Sequence, residues 1–234
     1  MRSEEGITLF LFVIRYAKIY SEQRYFIVGK AGMKTMNYLN TNAPAIHFRK
    51  TINCDIYIDK SLLIDKLNLL IGTGKCYVCV TRPRRFGKTI NANMLGAYYT
   101  KGLQSEELFT ELKIATKESY KKYLNQHNVI YVDFSRMPDF CESYKEYIVN
   151  IVDMLKEDLL QCYPKLQNKK YSMLSKMFQD TGDSFIFILD EWDSIFYKEF
   201  MTKKEIKAVK KEANEFLEAA KANGNKIGKH GNQD

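Results

Sequence analysis

Residues 76–96 read CYVCVTRPRRFGKTINANMLG, and this stretch decides the expected fold class. The apolar run 76–80 is typical of a short buried strand, the basic segment 82–89 contains the proline and glycine of a turn, and residues 90–99 fit a helix. A strand, a turn and a helix in direct succession are typical of α/β domains. The stretch therefore predicts an α/β fold.

The tripeptide Gly87-Lys88-Thr89 gives this turn a chemical meaning. In the phosphate-binding loop of nucleoside triphosphatases, backbone N–H groups face the phosphates, the Lys reaches the β and γ groups, and the Thr hydroxyl ligates Mg²⁺. The full signature has a Gly five residues earlier, where this chain has Arg82, and Pro83 offers no backbone donor. The loop alone therefore leaves nucleotide binding and a basic surface turn as open interpretations.

A second signal follows about a hundred residues downstream, where residues 185–191 read FIFILDE. An all-apolar strand fits a central parallel strand, which is covered on both faces. Ligands of open α/β sheets bind at the carboxyl ends of the strands, so we expect Asp190 and Glu191 beside the loop. Asp190 would then bind a water ligand of Mg²⁺ and so hold the metal indirectly, and Glu191 would polarise the water that attacks the γ-phosphate. The alternative is an acidic turn that closes a buried strand.

Further strands and helices are predicted around these two segments. They are a strand at 55–58, a helix at 61–71 with Ser61 as N-cap, a strand at 129–134, an amphipathic helix at 143–163 ended by Pro164, and a short helix at 171–178. Residues 203–223 are expected to form a poorly packed helix, and residues 224–234 to be disordered. The apolar run 7–14 fits an added strand, a short helix or an extension outside the domain, and all three stay open.

The composition predicts one globular domain in the cytoplasm. The chain has 234 residues, of which 45% are hydrophobic, and a formal net charge of +8. This basic balance fits a nucleic-acid surface or a site that handles phosphates. The five cysteines form no disulfide framework, which predicts reduced thiols. Cys76 and Cys79 point to opposite faces of a strand, so we expect core positions and no metal site there.

A membrane partner is not expected. The run 7–14 is much shorter than the ~20 apolar residues that a membrane-spanning helix needs, and Arg15 follows it directly. Glu4 and Glu5 stand where a secretory signal has basic residues.

Three segments together resemble the bacterial AAA-ATPase-like family. Residues 57–64 read YIDKSLLI, residues 81–89 read TRPRRFGKT and residues 189–193 read LDEWD, where the family has Y-x-D-K-T, T-R-P-R-R-F-G-K-T and D-E-Y-D. The resemblance covers residues 37–197 and is specific, because this arginine-rich loop differs from ordinary phosphate-binding loops. It implies that the missing first glycine is a family feature. The departures are Ser61 for Thr and Trp192 for Tyr.

The resemblance implies a P-loop NTPase-type three-layer sandwich with a mostly parallel sheet, and it implies ATP and Mg²⁺ as cofactors. The implied catalytic residues are Lys88 and Glu191, and the implied metal-binding residues are Thr89 and Asp190. The implied nucleotide-binding residues are Arg84, Arg85, Phe86, Gly87, Lys88 and Thr89. Asp59 and Lys60 are interpreted as an ion pair or a helix cap, with a nucleobase contact as the alternative.

Longer relatives continue into the rest of the ATPase core and a C-terminal nuclease-like domain of the PD-(D/E)XK type. In them a later strand with a polar sensor residue lies between the loop strand and the Walker B strand. Residues after Asp193 show no such strand, so we expect a truncated chain whose sheet is incomplete at its C-terminal side. The strand before the loop, at 76–80, and the strand that ends in Asp190, which is the Walker B strand of this family, would then pair directly or leave unpaired edges.

The expected organisation is an N-terminal extension at 1–36, the AAA-ATPase-like domain at 37–200, and a Lys/Glu-rich tail at 201–234. Two functions from different classes stay open. The first is an ATP-binding P-loop protein, with Mg²⁺-dependent hydrolysis in the intact parent and an oligomer or a nuclease domain as partner. The second is a catalytically silent module whose basic face binds nucleic acid or a protein.

Overall fold

The computed structural model describes residues 8–15, 36–73, 77–82, 86–136, 141–204, 206–207 and 211. Within these residues the chain forms four strands and six α-helices. The strands are β1 (Thr8–Arg15), β2 (Tyr77–Arg82), β3 (Asn128–Asp133) and β4 (Phe185–Asp190). The helices are α1 (Ala43–Ile52), α2 (Leu62–Asn68), α3 (Lys88–Tyr99), α4 (Ser119–Tyr123), α5 (Tyr144–Cys162) and α6 (Leu174–Thr181).

The four strands form one sheet in the order β2-β1-β4-β3. β3 and β4 are parallel, with Asp133 opposite Asp190. β1 is antiparallel to both of its neighbours, so β2, β3 and β4 all run in one direction. The predicted α/β class is confirmed. The carboxyl ends of β2, β3 and β4 share one edge of the sheet, where ligands of α/β folds bind.

Helices cover both faces of this sheet. Val129 of β3 packs in a buried cluster with Phe48 of α1 and Leu95 of α3. The next residue of β3, Ile130, packs in a second cluster with Leu159 of α5. Successive residues of a strand point to opposite faces, so the two clusters lie on opposite sides of the sheet.

Helix α1 was not predicted from the sequence, although Pro44 in its first turn is a helix-start signal. It packs against α3 at Gly96. A Cβ atom added to Gly96 would lie 2.6 Å from the Cβ of Pro44, closer than carbon atoms approach. The glycine therefore allows the close contact that holds α1 against the helix following the loop.

The predicted strand at 55–58 is wrong. These residues lie in an irregular segment before α2, and Ile56 and Ile58 are 86% and 71% exposed. Tyr57 turns inward, where its ring meets the ring of Phe48 edge-on with centroids 6.0 Å apart. Two isolated isoleucines give the alternating pattern of a strand, but a strand also needs a neighbour to satisfy its backbone groups.

The predicted helix at 143–163 is confirmed as α5. Its N-terminus is capped by Ser143, whose hydroxyl accepts a hydrogen bond from the N–H of Glu146 at 3.2 Å. The Glu146 carboxylate in turn accepts from the N–H of Glu142 at 3.0 Å. Ser61 also lies at a helix start, but its hydroxyl accepts from the N–H of Ile114 at 3.0 Å and does not cap α2.

The buried carboxylate of Asp158 fastens the segment before α1 to α5. It accepts hydrogen bonds from the backbone N–H groups of Asn37, Tyr38 and Leu39 at 2.9, 2.7 and 2.9 Å. Leu39 in turn forms an isolated bridge to Ile130 of β3. Asp158 therefore ties this segment, α5 and the edge of the sheet together.

Replacing Asp158 by Ala is expected to lower the free energy of unfolding by about 2 kcal/mol, because three backbone donors lose their acceptor. Urea unfolding at neutral pH measures this. Asp153→Ala on the same helix is the control, since the Asp153 side chain is 57% exposed and pairs with Lys156 on the surface. We expect a change below about 0.5 kcal/mol for it. Equal effects of the two substitutions would contradict the role of Asp158.

The apolar run 7–14, whose role the sequence left open, forms strand β1. The expectation that β2 and β4 pair directly or leave open edges is wrong, because β1 lies between them. The domain boundary at residue 36 stays a prediction. Strand β1 lies on the N-terminal side of this boundary but belongs to the same sheet as β2, β3 and β4. Most of the predicted helix at 203–223 and the whole segment 224–234 lie outside the described residues. In the part of the chain that the structure describes, no helix is both long and apolar enough to cross a bilayer.

Candidate nucleotide site

The loop between β2 and α3 turns into the helix at Gly87, as the sequence predicts. Gly87 is the N-cap of α3 with a φ of 76°, a left-handed conformation that glycine adopts without strain. Its carbonyl accepts the N–H of Asn91 at 3.0 Å, so the helix begins directly after it. Lys88 and Thr89 are thus the first two residues of α3, where helix N–H groups and the helix dipole favour an anion.

The segment before α2 supports this loop from outside. The ammonium of Lys60 donates a hydrogen bond to the carbonyl oxygen of Phe86 at 3.1 Å. Asp59 accepts hydrogen bonds from the N–H of Ser61 at 2.7 Å and of Lys113 at 2.8 Å, but it does not cap α2, which has no side-chain cap hydrogen bond. Partial burial raises the pKa of Asp59, but these hydrogen bonds outweigh it and hold the pKa below its usual value. Asp59 therefore fixes the backbone next to Lys60, and Lys60 holds the loop.

Lys88 is the buried cation of the site, with 5% of its surface exposed. A lysine is rarely buried to this degree without a charged or polar partner. Thr89 is exposed beside it, and its side chain forms a hydrogen-bonding interaction with the carboxylate of Asp190 at the end of β4. The structure therefore brings the predicted metal ligand Thr89 and the predicted carboxylate Asp190 together.

The carboxyl group of Asp190 is fully buried, and its pKa is raised to about 7. Burial is the largest cause, and the nearby carboxylates of Asp133 and Glu191 add to it. Hydrogen bonding from the Thr89 side chain and the Glu191 backbone works in the opposite direction. Among the residues that the structure describes, the Oδ1 atom of Asp190 has no hydrogen-bond partner. A buried acid in this state is suited to a cation, which would favour its charged form.

Two residues that the sequence did not point to connect Asp190 to the helix after the loop. The hydroxyl of Tyr131 on β3 lies 3.0 Å from Oδ1 of Asn93 and 3.4 Å from Oδ2 of Asp190. Burial, and next the charge of Asp190, raise the pKa of Tyr131, so its hydroxyl stays protonated. Asp133 ends β3 beside Asp190, and the rule that sites form at the carboxyl ends of parallel strands would have identified it.

A cleft of about 160 Å³ opens next to these side chains. It is smaller than the ~300 Å³ at which small-molecule sites begin, so it has room for part of a nucleotide only. Thr89 lies on its wall together with Asn37, Tyr38, Thr41, Ala43, His47, Asn93, Tyr131, Asp133 and Arg136.

Glu191 follows Asp190 at the carboxyl edge and has an unusual backbone. Its φ is 51°, in the left-handed region, and it is the N-cap of a 3₁₀ helix at Trp192–Tyr197. Few non-glycine residues adopt this conformation, and such residues concentrate at functional sites. The carboxylate of Glu191 is close enough to raise the pKa of Asp190.

The remaining predicted residues are placed less completely. Phe86 is 57% exposed at the loop. Arg84 and Arg85 lie outside the described residues. The structure therefore places Thr89 in contact with Asp190, and Lys88 and Glu191 are their neighbours in the chain. The roles of the two arginines stay predictions.

The donor set fits Mg²⁺ held jointly with phosphates. In the described part of the chain, no group of three or more His, Cys, Asp or Glu side chains could hold a metal by itself. Magnesium in nucleotide sites keeps waters and phosphate oxygens as ligands and needs only one or two protein groups. The hydroxyl of Thr89 and the free oxygen of Asp190 are such groups.

The comparison with protein families agrees with the motifs. The family described as a predicted AAA-ATPase, the AAA-ATPase-like family, matches residues 46–230. The chain belongs to the AAA-ATPase-like family. No curated protein and no solved structure matches the chain. Membership supports a nucleotide-binding, ATPase-like role and confirms the resemblance carried by residues 57–64, 81–89 and 189–193.

Proposed function

We propose that this AAA-ATPase-like protein binds ATP with Mg²⁺ at the carboxyl edge of its sheet, in a P-loop NTPase-type architecture. The observation that carries the proposal is the contact of Thr89, at the start of α3, with the buried Asp190 of β4. Two segments about a hundred residues apart in sequence meet where a metal-bound phosphate would bind. A basic surface turn would have no reason to lie against a buried, proton-holding carboxyl group.

Each residue has one role in this proposal. The ammonium of Lys88 binds the β and γ phosphates, assisted by N–H groups of residues 84–89 and the arginines among them. The hydroxyl of Thr89 and the carboxylate of Asp190 would hold Mg²⁺. The metal, when bound, neutralises phosphate charge. Glu191 orients and deprotonates the attacking water.

Titration of a fluorescent ATP analogue into the wild-type chain, with Mg²⁺ and then with EDTA, tests the proposal. We expect saturable binding that is stronger with Mg²⁺. Absence of saturable binding in both conditions would overturn the proposal. Four predictions stay open: a nucleic-acid partner, an oligomer, a nuclease domain and a cytoplasmic location. Salt-sensitive binding of a DNA duplex would test the prediction of a nucleic-acid partner.

The role of Glu191 is tested by hydrolysis. Glu191→Gln keeps the size of the side chain and removes its basicity, so we expect ATP turnover to fall about 100-fold while ATP affinity changes less than about threefold. Release of phosphate measures turnover, and Glu199→Gln, an exposed glutamate in the same region, is the control. Unchanged turnover in the Gln variant would show that another group activates the water.

A further inference from the structure

Strand β1 is the sole link within the sheet between β2 and β4, over the residues that the structure describes. It pairs with β2 on one side and with β4 on the other, and in this backbone register Leu11 is paired with Cys79 of β2 and with Leu189 of β4. β2 leads into the loop, and β4 ends at Asp190. The two halves of the candidate site are therefore held in register through a strand that comes first in the sequence.

The sequence of β1 fits a central position. It reads TLFLFVIR, with six apolar residues in succession. Strands covered on both faces have such continuous apolar runs, whereas a strand with one face in water alternates polar and apolar residues. An exposed edge strand of this composition would invite aggregation. The pattern and the pairing therefore agree.

We propose that β1 is a positioning element of the nucleotide site, which sets the distance between the loop and the carboxylates. Neighbouring strands lie about 4.8 Å apart, so β1 keeps β2 and β4 roughly 9.6 Å apart. Without it, the two strands would pair directly, shifting the loop by about 4.8 Å, or would expose unpaired edges. Such a shift exceeds the ~3 Å reach of a hydrogen bond between Thr89 and Asp190. The functional consequence rests on the proposed ATP site, whereas the strand pairing does not.

The pairing is tested by a disulfide in the full-length chain. Leu11→Cys places a cysteine opposite the native Cys79. Directly opposed residues of antiparallel strands share a face, with Cα atoms about 4.5–5.5 Å apart, which suits a disulfide. Mild oxidation is expected to give an intramolecular bond between positions 11 and 79, mapped by mass spectrometry of peptides. Phe12→Cys, which lies opposite Val78, is the control and should not bond to Cys79. Absence of the 11–79 bond, or equal bonding in the control, overturns the proposal.

The positioning role is tested by Leu11→Pro against Leu11→Val. Proline removes a backbone N–H from the ladder, and valine keeps it. We expect faster amide exchange at 77–82 and 185–190 in the proline variant, with α5 still protected, and ATP-analogue affinity at least 100-fold lower. The valine variant should stay within about threefold. If the proline variant unfolds as a whole, the Leu11→Cys variant with its 11–79 disulfide formed is used instead. We expect this oxidised variant to bind the ATP analogue with the affinity of the wild type.

The outcomes separate the two proposals. If Lys88→Ala lowers ATP affinity but Leu11→Pro leaves it and the exchange of β2 and β4 unchanged, β1 does not position the site. If Lys88→Ala has no effect on ATP affinity, the proposed function fails, and the disulfide and exchange results alone decide whether β1 joins β2 to β4.

Discussion

Replacing Lys88 by Ala is expected to weaken the binding of an ATP analogue about 1,000-fold, which corresponds to about 4 kcal/mol. Lys88 is the first residue of α3 and has 5% of its surface exposed, so a bound triphosphate would meet a side chain already largely removed from water. Charge-assisted hydrogen bonds to phosphate are strong in such surroundings. A fluorescence titration with Mg²⁺ present measures the loss.

Two further variants make this result specific. Lys145→Ala removes an exposed lysine from α5 and is expected to leave ATP affinity within about threefold. Lys88→Met keeps most of the buried stem and removes the charge, so it should lose as much affinity as the Ala variant while keeping the packing. Thermal unfolding without nucleotide checks that all three variants fold. Loss of affinity in Lys145→Ala, or full affinity in Lys88→Met, would contradict a phosphate-binding role for Lys88.

The same variant separates ATP binding from the nucleic-acid alternative. Binding of DNA or RNA through a basic face depends on many phosphate contacts and falls steeply with salt. If Lys88→Ala leaves salt-sensitive nucleic-acid binding intact while ATP binding is absent in the wild type, the silent binding module is the better account of this chain.

Local sequence signals were enough to point to the candidate site because its parts are local. The apolar strand before the loop, Gly87 at a left-handed turn and the start of α3 lie within about a dozen residues. The second half needed only a buried strand with Asp190 and Glu191 at its end. The rule that ligands bind at the carboxyl ends of parallel strands then brought the two halves together.

Features that depend on distant pairing were missed. The run 7–14 has the apolar character of a central strand, but nothing in it identifies β2 and β4 as its neighbours. Tyr131 and Asn93 join the site because β3 pairs with β4 and α3 packs across the sheet, and neither residue belongs to a motif. Ile56 and Ile58 misled in the opposite sense, since their alternation resembles a strand and they lie exposed beside α2.

Replacing Asp190 by Asn is expected to stabilise the protein above pH 7 and to leave its stability unchanged near pH 4. The folded protein holds the Asp190 proton up to about pH 7, whereas the unfolded chain releases it near pH 3.8. Between these values the folded state binds more protons, so the free energy of unfolding falls as pH rises, by at most about 1.4 kcal/mol per pH unit. The asparagine cannot ionise, so at pH 8 its variant should be more stable by up to about 4 kcal/mol.

Urea unfolding of both proteins at pH 4.5, 6 and 8, without metal or nucleotide, measures this difference. His127 titrates in the opposite sense, since burial lowers its pKa to about 4, but it is present in both proteins and cancels in the comparison at each pH. A difference that stays constant with pH would show that Asp190 is ionised throughout.

With Mg²⁺ and ATP bound at pH 8, we expect the wild type to be more stable than Asp190→Asn. A bound cation favours the ionised carboxylate, which only the wild type has, so it stabilises the wild type more. Asp190 would therefore lower the free energy of unfolding of the ligand-free protein and raise that of the protein with Mg²⁺ and ATP bound. The stability of the fold would then depend on whether the site is occupied. Equal stabilisation of both proteins by Mg²⁺ and ATP would remove Asp190 from the metal site while leaving its raised pKa in place.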